Sequence, residues 1–487
     1  MAIRLSQSTL PKPLGYDRSK VSPGIMHLGI GAFHRAHMAA YIDALLPREP
    51  GWGILGASLR SPDVRDALKP QDFLYTLAIA DAEGVRTRII GSILGVLDGG
   101  TERDALLAAM ADPATRIVSL TVTEKGYCHD PATGLLKPDH PDIVHDLAHP
   151  EAPRSAPGLI VRALELRRAA GVAPFTVLSC DNLPANGRTT ARIVQGFAAL
   201  RSAALAEHIA QNVDFPSSMV DRIVPATTDA DRALVVDMIG REDAWPVMTE
   251  PFTQWVIEDR FRHGRPDLQS VGAQLVEQVE PFELMKLRML NGSHSTLAYL
   301  GYLSGYQYVS ETIGDPEFLK LIRGLMTDEA ITTLSIAPDE LLIYRDRLLE
   351  RFANPRLKHR TYQIAMDGSQ KLPQRLLGTI RDRLARGLPV VRLALGVAAW
   401  MRYATGTDEA GQRIEVQDPL AARLRAIGET AAGSAERVVA GMLAVREVFG
   451  DDLPEHAALK AQLVSHLDLL LRNGAQATVR QVVASTR

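Results

Sequence analysis

The sequence predicts an α/β N-terminal domain followed by an all-α C-terminal domain, and three observations lead to this. The chain has 487 residues, which is too long for a single hydrophobic core. Its first half repeats short apolar runs followed by helical stretches, the pattern of parallel βαβ units. From about Pro281 onward the apolar spacing is mostly helical. We therefore expect two domains, 1–280 and 281–487.

The individual elements follow from the same patterns. Apolar runs predict strands at 24–31, 51–60, 115–127, 174–182, 221–227 and 245–252. Helical spacing predicts helices around 283–305, 316–326, 375–386, 391–404, 418–427, 433–449 and 455–473. No repeat of fixed period interrupts this order.

Composition excludes several classes of protein. Apolar residues make up 46% and charged residues 23%, as in soluble globular proteins. The net charge of -3 indicates neither a nucleic acid nor a membrane partner. Two cysteines, Cys128 and Cys180, exclude a disulfide framework and a Cys-rich metal site. Because no segment is apolar enough for a signal peptide or a membrane span, we expect a cytoplasmic protein.

A glycine pair follows the first predicted strand, in "GIMHLGIGAFHRAH". At such a position one glycine makes the tight turn, and the other lets the backbone approach a pyrophosphate at the helix N-terminus. Gly29 and Gly31 are that pair, Ala32 and Phe33 follow, and His34 occupies the slot of the usual third glycine. The pattern predicts a Rossmann-type dinucleotide site, with a plain turn as the alternative.

The end of the second predicted strand bears on the choice of cofactor. An acid there can accept the ribose hydroxyls of NAD, whereas an arginine can bind the 2′-phosphate of NADP. Asp63 and Arg60 are both present, so this segment leaves the choice open. We interpret Asp63 as a ligand of the NAD ribose. The alternative is that Asp63 is a solvent-exposed loop residue without a role in binding.

Polar residues lie at the ends of three other predicted strands. Ligands of open α/β sheets bind beyond the carboxyl ends of the strands, so these residues are candidates for cofactor or substrate contacts. Each residue taken alone is equally typical of a turn. The candidates are Thr123, Glu124, Lys125, Asn182 and Asp221.

The stretch "KLRMLNGSHSTLAY" carries three polar residues on one apolar face. At about 100° per residue, Lys286, His294 and Asn291 fall at about 0°, 80° and 140°, among leucines. Polar groups on a core-facing stripe cost free energy unless they find partners. The alternative to a function is that each is a satisfied core polar group.

Hydride transfer between an alcohol and a nicotinamide would explain why these three polar residues lie on an apolar face. The hydroxyl needs a base and the developing oxyanion needs donors. A lysine in a partly apolar pocket can be that base, because desolvation lowers its pKa towards the working range, and Lys286 is the candidate. Asn182 and Asn291 are the candidate donors, and His294 can orient either a hydroxyl or the lysine. His34 and His37 form H-x-x-H without further ligands at metal spacing, so no metal is expected.

Ordered motifs along nearly the whole chain resemble the mannitol dehydrogenase family of long-chain polyol dehydrogenases. They are "GIGAFHRAH", "TVTEKGYC", "SCDNLPANG", "MVDRIVPAT", "EPFTQWVIEDRF" and "KLRMLNGSHS". The resemblance implies a zinc-free, NAD(P)-dependent oxidoreductase with a Rossmann-type domain and a helical domain around a cleft, and it is compatible with a monomer. It also implies that Lys286 is the acid/base, that Asn182 and Asn291 bind the oxyanion, that His294 and Asp221 bind substrate, and that Asp63 binds the ribose.

A second comparison divides the family. Mannitol 2-dehydrogenases carry an arginine where this chain has Gln363, and commonly a glycine where it has Lys125. "RFANPRLKHRTYQIAMDGSQKLPQR" is more similar to the fructuronate reductases (D-mannonate oxidoreductases). A hexuronate brings a carboxylate, for which a cation is the expected partner. Lys125, Arg360 and Lys371 are the candidates, and the sequence does not choose among them.

Three functional hypotheses follow. The first is an NAD-dependent reductase interconverting D-fructuronate and D-mannonate. The second is a polyol dehydrogenase acting on mannitol, arabinitol or sorbitol. The third is a dinucleotide-binding protein without catalysis, against which Lys286, Asn291 and His294 argue together.

Overall fold

The structure, a computed structural model, describes residues 3–130 and 133–486. The chain divides into two compact units, Met1–Glu280 and Pro281–Arg487. The first contains parallel and antiparallel sheet together with helices, and the second is helical. The predicted fold class, an α/β Rossmann-type domain plus an all-α domain, is confirmed.

The described strands all belong to the first unit. They are β1 (Pro23–Leu28), β2 (Gly53–Ser58), β3 (Tyr75–Ala80), β4 (Val85–Ile90), β5 (Ile93–Asp98), β6 (Ile117–Leu120), β7 (His129–Asp130), β8 (Leu135–Leu136), β9 (Thr176–Ser179), β10 (Ser218–Asp221), β11 (Val247–Thr249), β12 (Gln254–Glu258) and β13 (Gln274–Val276).

The helices run through both units. Those of the first are α1 (Ala32–Ala36), α2 (Met38–Leu45), α3 (Asp63–Leu68), α4 (Arg103–Ala111), α5 (Thr123–Gly126), α6 (Pro141–Ala148), α7 (Ala156–Ala169), α8 (Asn186–Arg201), α9 (Ala203–Asn212) and α10 (Asp229–Ile239). After α11 (Glu280–Met285) at the boundary come α12 (Gly292–Leu303), α13 (Val309–Gly314), α14 (Pro316–Gly324), α15 (Pro338–Ala353), α16 (Thr361–Ala365), α17 (Gly368–Leu372), α18 (Gly378–Ala385), α19 (Val391–Ala404), α20 (Ala421–Ala431), α21 (Ala435–Leu443), α22 (Arg446–Phe449) and α23 (Ala457–Ser485).

A five-stranded parallel sheet forms the centre of the first unit. Its order is β5-β2-β1-β6-β9, so the chain moves outward from β1 to one side and then returns to build the other. The switch between β1 and β6 creates the crevice in which such sheets bind nucleotides. Successive residues of β1 show that both faces are covered, since Ile25 packs into one apolar cluster and Met26 into another.

Two predicted strands are misplaced. The strand expected at 115–127 ends at Leu120, and Thr123–Gly126 is a helical turn. The strand expected at 221–227 lies instead at Ser218–Asp221. After it, the Ile223 amide donates to the Glu250 side chain at 2.7 Å, which replaces a ladder hydrogen bond. The hairpin of β3 and β4, which the apolar runs did not predict, pairs with β11 as a separate sheet.

Two buried helices organise the second unit. Every described residue of α12 except Tyr302 is buried, and α19 packs against it and against α23. At Gly396 of α19 a Cβ would lie 2.5 Å from the Thr296 hydroxyl of α12, so a side chain there would separate the two helices. The helix α15, absent from the predicted set, also contributes buried leucines.

Three segments of the second unit have π-helical winding. They are Lys286–Asn291, Leu325–Ala330 and Pro373–Leu377. The first lies between α11 and α12, where the amide of Gly292 donates to Leu287, five residues earlier. Such single π turns are rare and occur frequently at functional sites.

Candidate active site

The turn after β1 requires glycine at position 29. Gly29 has a φ of 92°, a left-handed conformation that side chains disfavour. A Cβ there would also collide with the carbonyl oxygen of Thr121, in the turn after β6. The Thr121 hydroxyl donates to the Gly29 carbonyl at 2.7 Å. The turns after the two strands that flank the switch therefore pack directly on each other.

Gly31 meets a different requirement. It is the N-cap of α1 and is exposed, and a Cβ there would have only the Gly29 carbonyl oxygen, at 3.9 Å, within contact range. Ala32 is exposed as well, and Phe33 stacks on His37 with ring centroids 5.1 Å apart. The open backbone at the start of α1 has the room and the amide groups that a pyrophosphate needs, so this turn fits a dinucleotide.

His34, in the slot of the third glycine, is fully buried. Its ring stacks on that of His27 of β1, with centroids 3.4 Å apart and planes 19° apart. The His27 ring nitrogens contact the Ser119 and Thr121 hydroxyls, both at 2.8 Å. Helix α1 thus packs on β1 through two stacked imidazole rings. In the usual G-x-G-x-x-G motif the third glycine, which has no side chain, allows this close packing.

The residues predicted to select the cofactor lie beyond β2. Arg60 is in the bend that follows the strand, and Asp63 is the first residue of α3. Both are exposed. Their placement fits contact with a ribose but does not choose between NAD and NADP.

A carboxylate ties the turn after β6 to the turn after β9. Asp181 accepts the amides of Val122 and Thr123, each at 3.0 Å, and the Tyr127 hydroxyl at 2.9 Å. Burial is the main cause that raises the pKa of Asp181. Thr123 has a φ of 63°, which is strained for a β-branched residue. The sequence places Asp181 beside Asn182 at the polar end of a predicted strand, but it does not predict these contacts.

The predicted polar residues of these two turns are accessible. Thr123, Glu124 and Lys125 lie exposed on α5, and Asn182 is exposed in the bend after β9. Because β6 and β9 are neighbouring strands, the structure brings their ends together as expected.

Asp221 belongs to a different sheet from the other strand-end residues. It is the last residue of β10, is 3% exposed, and lies opposite Gln254 of β12. The start of β10 nevertheless reaches the end of β9, since Asn186 donates to the carbonyls of Ser179 and Ser218 at 3.3 and 2.7 Å.

The second unit presents Lys286, Asn291 and His294 on the π turn and the first turn of α12. Lys286 and Asn291 are the first and last residues of the π segment and are half-buried. The α-helical projection, which separated them by about 140°, is wrong here, because π winding brings residues five apart onto nearly the same face. The three side chains are therefore closer in direction than the sequence predicts.

His294 is buried, and its ring packs against Phe352 and His359 with centroids 4.7 and 5.0 Å away. Its Nε2 has no hydrogen-bond partner among the described residues. Burial, followed by the positive charge around His359, Arg375 and Arg351, holds the pKa of His294 well below its usual range. The imidazole is therefore neutral at pH 7.

The cations proposed to bind a carboxylate differ in environment. Lys125 and Arg360 are exposed, Arg360 as the N-cap of α16. Lys371 of α17 is half-buried, and its Nζ donates to the carbonyl of Met366 at 2.6 Å. Arg375, on the π turn Pro373–Leu377, was missed by sequence reasoning, since an arginine in "KLPQR" has no distinguishing spacing.

One group of metal-capable side chains occurs in the described part of the chain. Ligand atoms of Cys128, His140 and Asp142 lie within 4.8 Å of one another. The group does not include His34 or His37, nor any predicted site residue. In residues 3–130 and 133–486, no helix is both long and apolar enough to cross a bilayer.

Comparison with known proteins assigns the family. Residues 23–270 match the model of the mannitol dehydrogenase Rossmann domain, and residues 278–471 match that of the mannitol dehydrogenase C-terminal domain. The chain belongs to the mannitol dehydrogenase family. The predicted resemblance is confirmed, and the protein is an oxidoreductase of this family.

Relatives within the family cover almost the whole chain. D-mannonate oxidoreductase of Escherichia coli is 48% identical over 470 residues, covering 95% of this chain and 96% of its own. Mannitol 2-dehydrogenase of Phaeosphaeria nodorum is 43% identical over 98% of this chain and 84% of its own. The structure of Pseudomonas fluorescens mannitol 2-dehydrogenase, a ternary complex with NAD and D-mannitol, has a TM-score of 0.87 and 40% identity, and it covers 99% of this chain and all of that one.

Proposed function

We propose that the protein is an NAD-dependent oxidoreductase that interconverts D-fructuronate and D-mannonate. The observation that carries this choice is the 48% identity to a D-mannonate oxidoreductase over 95% of the chain. Gln363 supports the same choice, since the resemblance places an arginine there in the mannitol 2-dehydrogenases.

The first unit is proposed to bind NAD. The constrained turn at Gly29, the open backbone at Gly31 and the switch between β1 and β6 fit a dinucleotide. A related mannitol 2-dehydrogenase has been solved with NAD. Asp63 is proposed to accept the ribose hydroxyls, with Arg60 nearby. Thr123 and Glu124 are proposed as further cofactor contacts.

The second unit is proposed to supply the proton transfer. Bound NADH provides the hydride that reduces the keto carbon. Lys286 delivers a proton from its ammonium group to the keto oxygen, which becomes the hydroxyl of the secondary alcohol. Asn291, on the same π turn, donates from its amide to that oxygen, and Asn182 is proposed as a second donor. Oxidation runs in reverse, with neutral Lys286 as the base.

His294 and Asp221 are proposed to hold the substrate's hydroxyls. The low pKa of His294 suits this role, because a neutral imidazole donates one hydrogen bond and accepts another without adding charge. The unpartnered Nε2 supports it further, since buried polar atoms are ordinarily hydrogen-bonded.

A polyol dehydrogenase of the same family is the second candidate. The solved relative with D-mannitol and the 43% identity to a fungal mannitol 2-dehydrogenase favour it. The two candidates differ in one group, a terminal carboxylate in place of a hydroxymethyl.

Matched assays distinguish them. NADH oxidation is followed at about 340 nm, the absorbance of the reduced nicotinamide, with D-fructuronate or D-fructose at equal concentrations. Fast oxidation with fructuronate alone is the expected result. Fast oxidation with fructose alone would assign the protein to the polyol dehydrogenases and contradict the proposal.

A further inference from the structure

Arg375 has fewer side-chain partners than Arg288 and Arg383, two other arginines of the second unit. Its Nη1 donates to the Ser295 hydroxyl at 3.2 Å, its one hydrogen bond within the described residues. By contrast, Arg288 pairs with Asp382 at 2.7 Å, and Arg383 donates to a cluster of carbonyl and hydroxyl oxygens. Burial lowers the pKa of Arg375, a sign that water solvates its charge poorly. A poorly solvated cation without an anionic partner costs free energy.

Arg375 lies beside the proposed proton-transfer residues. Its π turn packs against the π turn Lys286–Asn291. A Cβ on Gly292 would lie 2.8 Å from the Arg375 carbonyl oxygen, and Ser295, which accepts from its guanidinium, directly follows His294. The side chain is only partly buried, so the remaining N–H groups can be reached by a ligand.

Two imidazoles accompany the guanidinium. His294 Nε2 and His359 Nδ1 are both buried without a hydrogen-bond partner in the described part of the chain, and the two rings stand perpendicular, 5.0 Å apart. Burial is the main cause that lowers the pKa of both imidazoles, to about 4 for His359, and the charge of Arg375 lowers each of them further. Buried atoms of this kind ordinarily have a partner, so their joint lack of one indicates a ligand.

We propose that Arg375 and His359 form the subsite for the carboxylate of the hexuronate, next to His294. This inference rests on the proposed function and names the group that recognises its substrate. A guanidinium presents parallel N–H donors that match the two oxygens of a carboxylate, and an imidazole N–H adds a third donor. A polyol hydroxyl in the same place would leave the charge of Arg375 without compensation.

Arg375 is not one of the three cations that the sequence predicted as partners of the carboxylate. Lys125 and Arg360 are exposed, where an ion pair contributes little free energy. Lys371 already donates to the carbonyls of Met366 and Ile364, at 2.6 and 3.5 Å. Its charge supplements that of Arg375, since both lower the pKa of His359.

The test compares two ligands that differ only in the carboxylate. Dissociation constants for D-mannonate and D-mannitol are measured by calorimetry on the full-length protein and on R375Q, R375K and R386Q, each saturated with NADH, which cannot accept a hydride from either ligand. We expect R375Q to weaken D-mannonate binding by roughly 10- to 100-fold, the effect of losing charge-assisted hydrogen bonds, and D-mannitol binding by less than about 3-fold. R375K should recover part of the loss, because it keeps the charge without the planar fork. R386Q is the control, since Arg386 is exposed and donates to the carbonyl of Thr332.

Each outcome decides between a subsite and a structural role. Equal losses for both ligands in R375Q, with R375K no better, would make Arg375 structural and overturn the inference. Unchanged D-mannonate affinity would overturn it as well, and both results leave the fructuronate activity of the unmodified protein intact. If the unmodified protein reduces only fructose, the proposed function fails. The subsite then survives only if D-gluconate binds more tightly than D-sorbitol and R375Q abolishes that difference.

Discussion

The carboxylate of Asp181 accepts the amide of Thr123 at 3.0 Å and holds that residue at a φ of 63°. A β-branched residue in this conformation costs on the order of 1–3 kcal/mol and persists only where its surroundings impose it. The amides of Val122 and Thr123 donate to different oxygens of Asp181, so in D181N the amide NH2 group faces one of these two N–H groups and leaves it without an acceptor. We expect faster hydrogen exchange at 122–127 and a loss of about 1–3 kcal/mol in the free energy of unfolding.

Tyr127 supplies the matched control for that prediction. Y127F removes the hydroxyl that donates to Asp181 at 2.9 Å but leaves both amide contacts intact. The same hydroxyl also hydrogen-bonds with the Ser179 hydroxyl at 2.6 Å, so Y127F removes two hydrogen bonds and should cost about 1–3 kcal/mol. Residues 122–123 should nevertheless stay protected, because their acceptor is unchanged. Equal exchange in D181N and the unmodified protein would mean that the turn is held by other contacts.

The two glycines after β1 should respond differently to alanine. G29A places a Cβ against the Thr121 carbonyl at a positive φ, so we expect thermal unfolding at a clearly lower temperature. G31A has space for its Cβ and should unfold like the unmodified protein, yet weaken NADH binding because the methyl group lies where the pyrophosphate is expected.

Gly84 provides the background for that comparison. It has open space around its Cβ position and an ordinary φ, so G84A should change neither property. Calorimetric melting and NADH titration of the three variants check the prediction. A stable G29A that binds NADH normally would contradict the proposed role of this turn.

Replacing Lys286 tests the proton-transfer step. K286A should lower kcat by roughly two to four decades, the usual contribution of a positioned acid/base, with little change in NADH affinity. K320A is a suitable control, since Lys320 is a surface residue paired with Glu317 at 2.7 Å. Near-normal turnover of K286A across the pH range would assign the proton transfer to another group.

Buried histidines should make the first unit sensitive to acid. Burial lowers the pKa of His27 from 6.5 to about 3, and that of His34 well below its usual range. Histidines of the unfolded chain titrate near 6.5, so below that pH the unfolded state binds more protons than the folded state. The free energy of unfolding should therefore fall as the pH drops from 6.5 toward 3, by up to about 1.4 kcal/mol per pH unit for each histidine.

Urea unfolding at several pH values between about 7 and 5 measures this slope. H34Q should reduce it, since one of the two stacked imidazoles is then removed and glutamine does not titrate. A free energy of unfolding that is constant over this interval would contradict the assignment of neutral rings to the folded state.

The segment that carries Lys286 shows what sequence periodicity can predict and what it cannot. The apolar pattern predicted a helix around 283–305 with polar groups on its inner side, and the structure contains α11, the π turn and α12 there. The projection angles were wrong, because periodicity assumes one constant twist. The π turn has more residues per turn than an α-helix, which changes the angle between successive side chains. No residue type in "KLRMLN" identifies a π turn.

The amino-acid sequence by itself determined the α/β-then-helical order, the glycine turn after β1 and the family, because these depend on local spacing and on ordered motifs. Tertiary structure decided which distant groups meet. Asp181 and Thr123 are 58 residues apart, and Arg375 and Ser295 are 80 apart. Such long-range hydrogen bonds leave no pattern in the local sequence, because each residue is compatible with its own helix or turn whether or not the distant partner is present. The hydrogen bond from Thr123 to Asp181 and the lack of an anionic partner for Arg375 can therefore be recognised only in the folded structure.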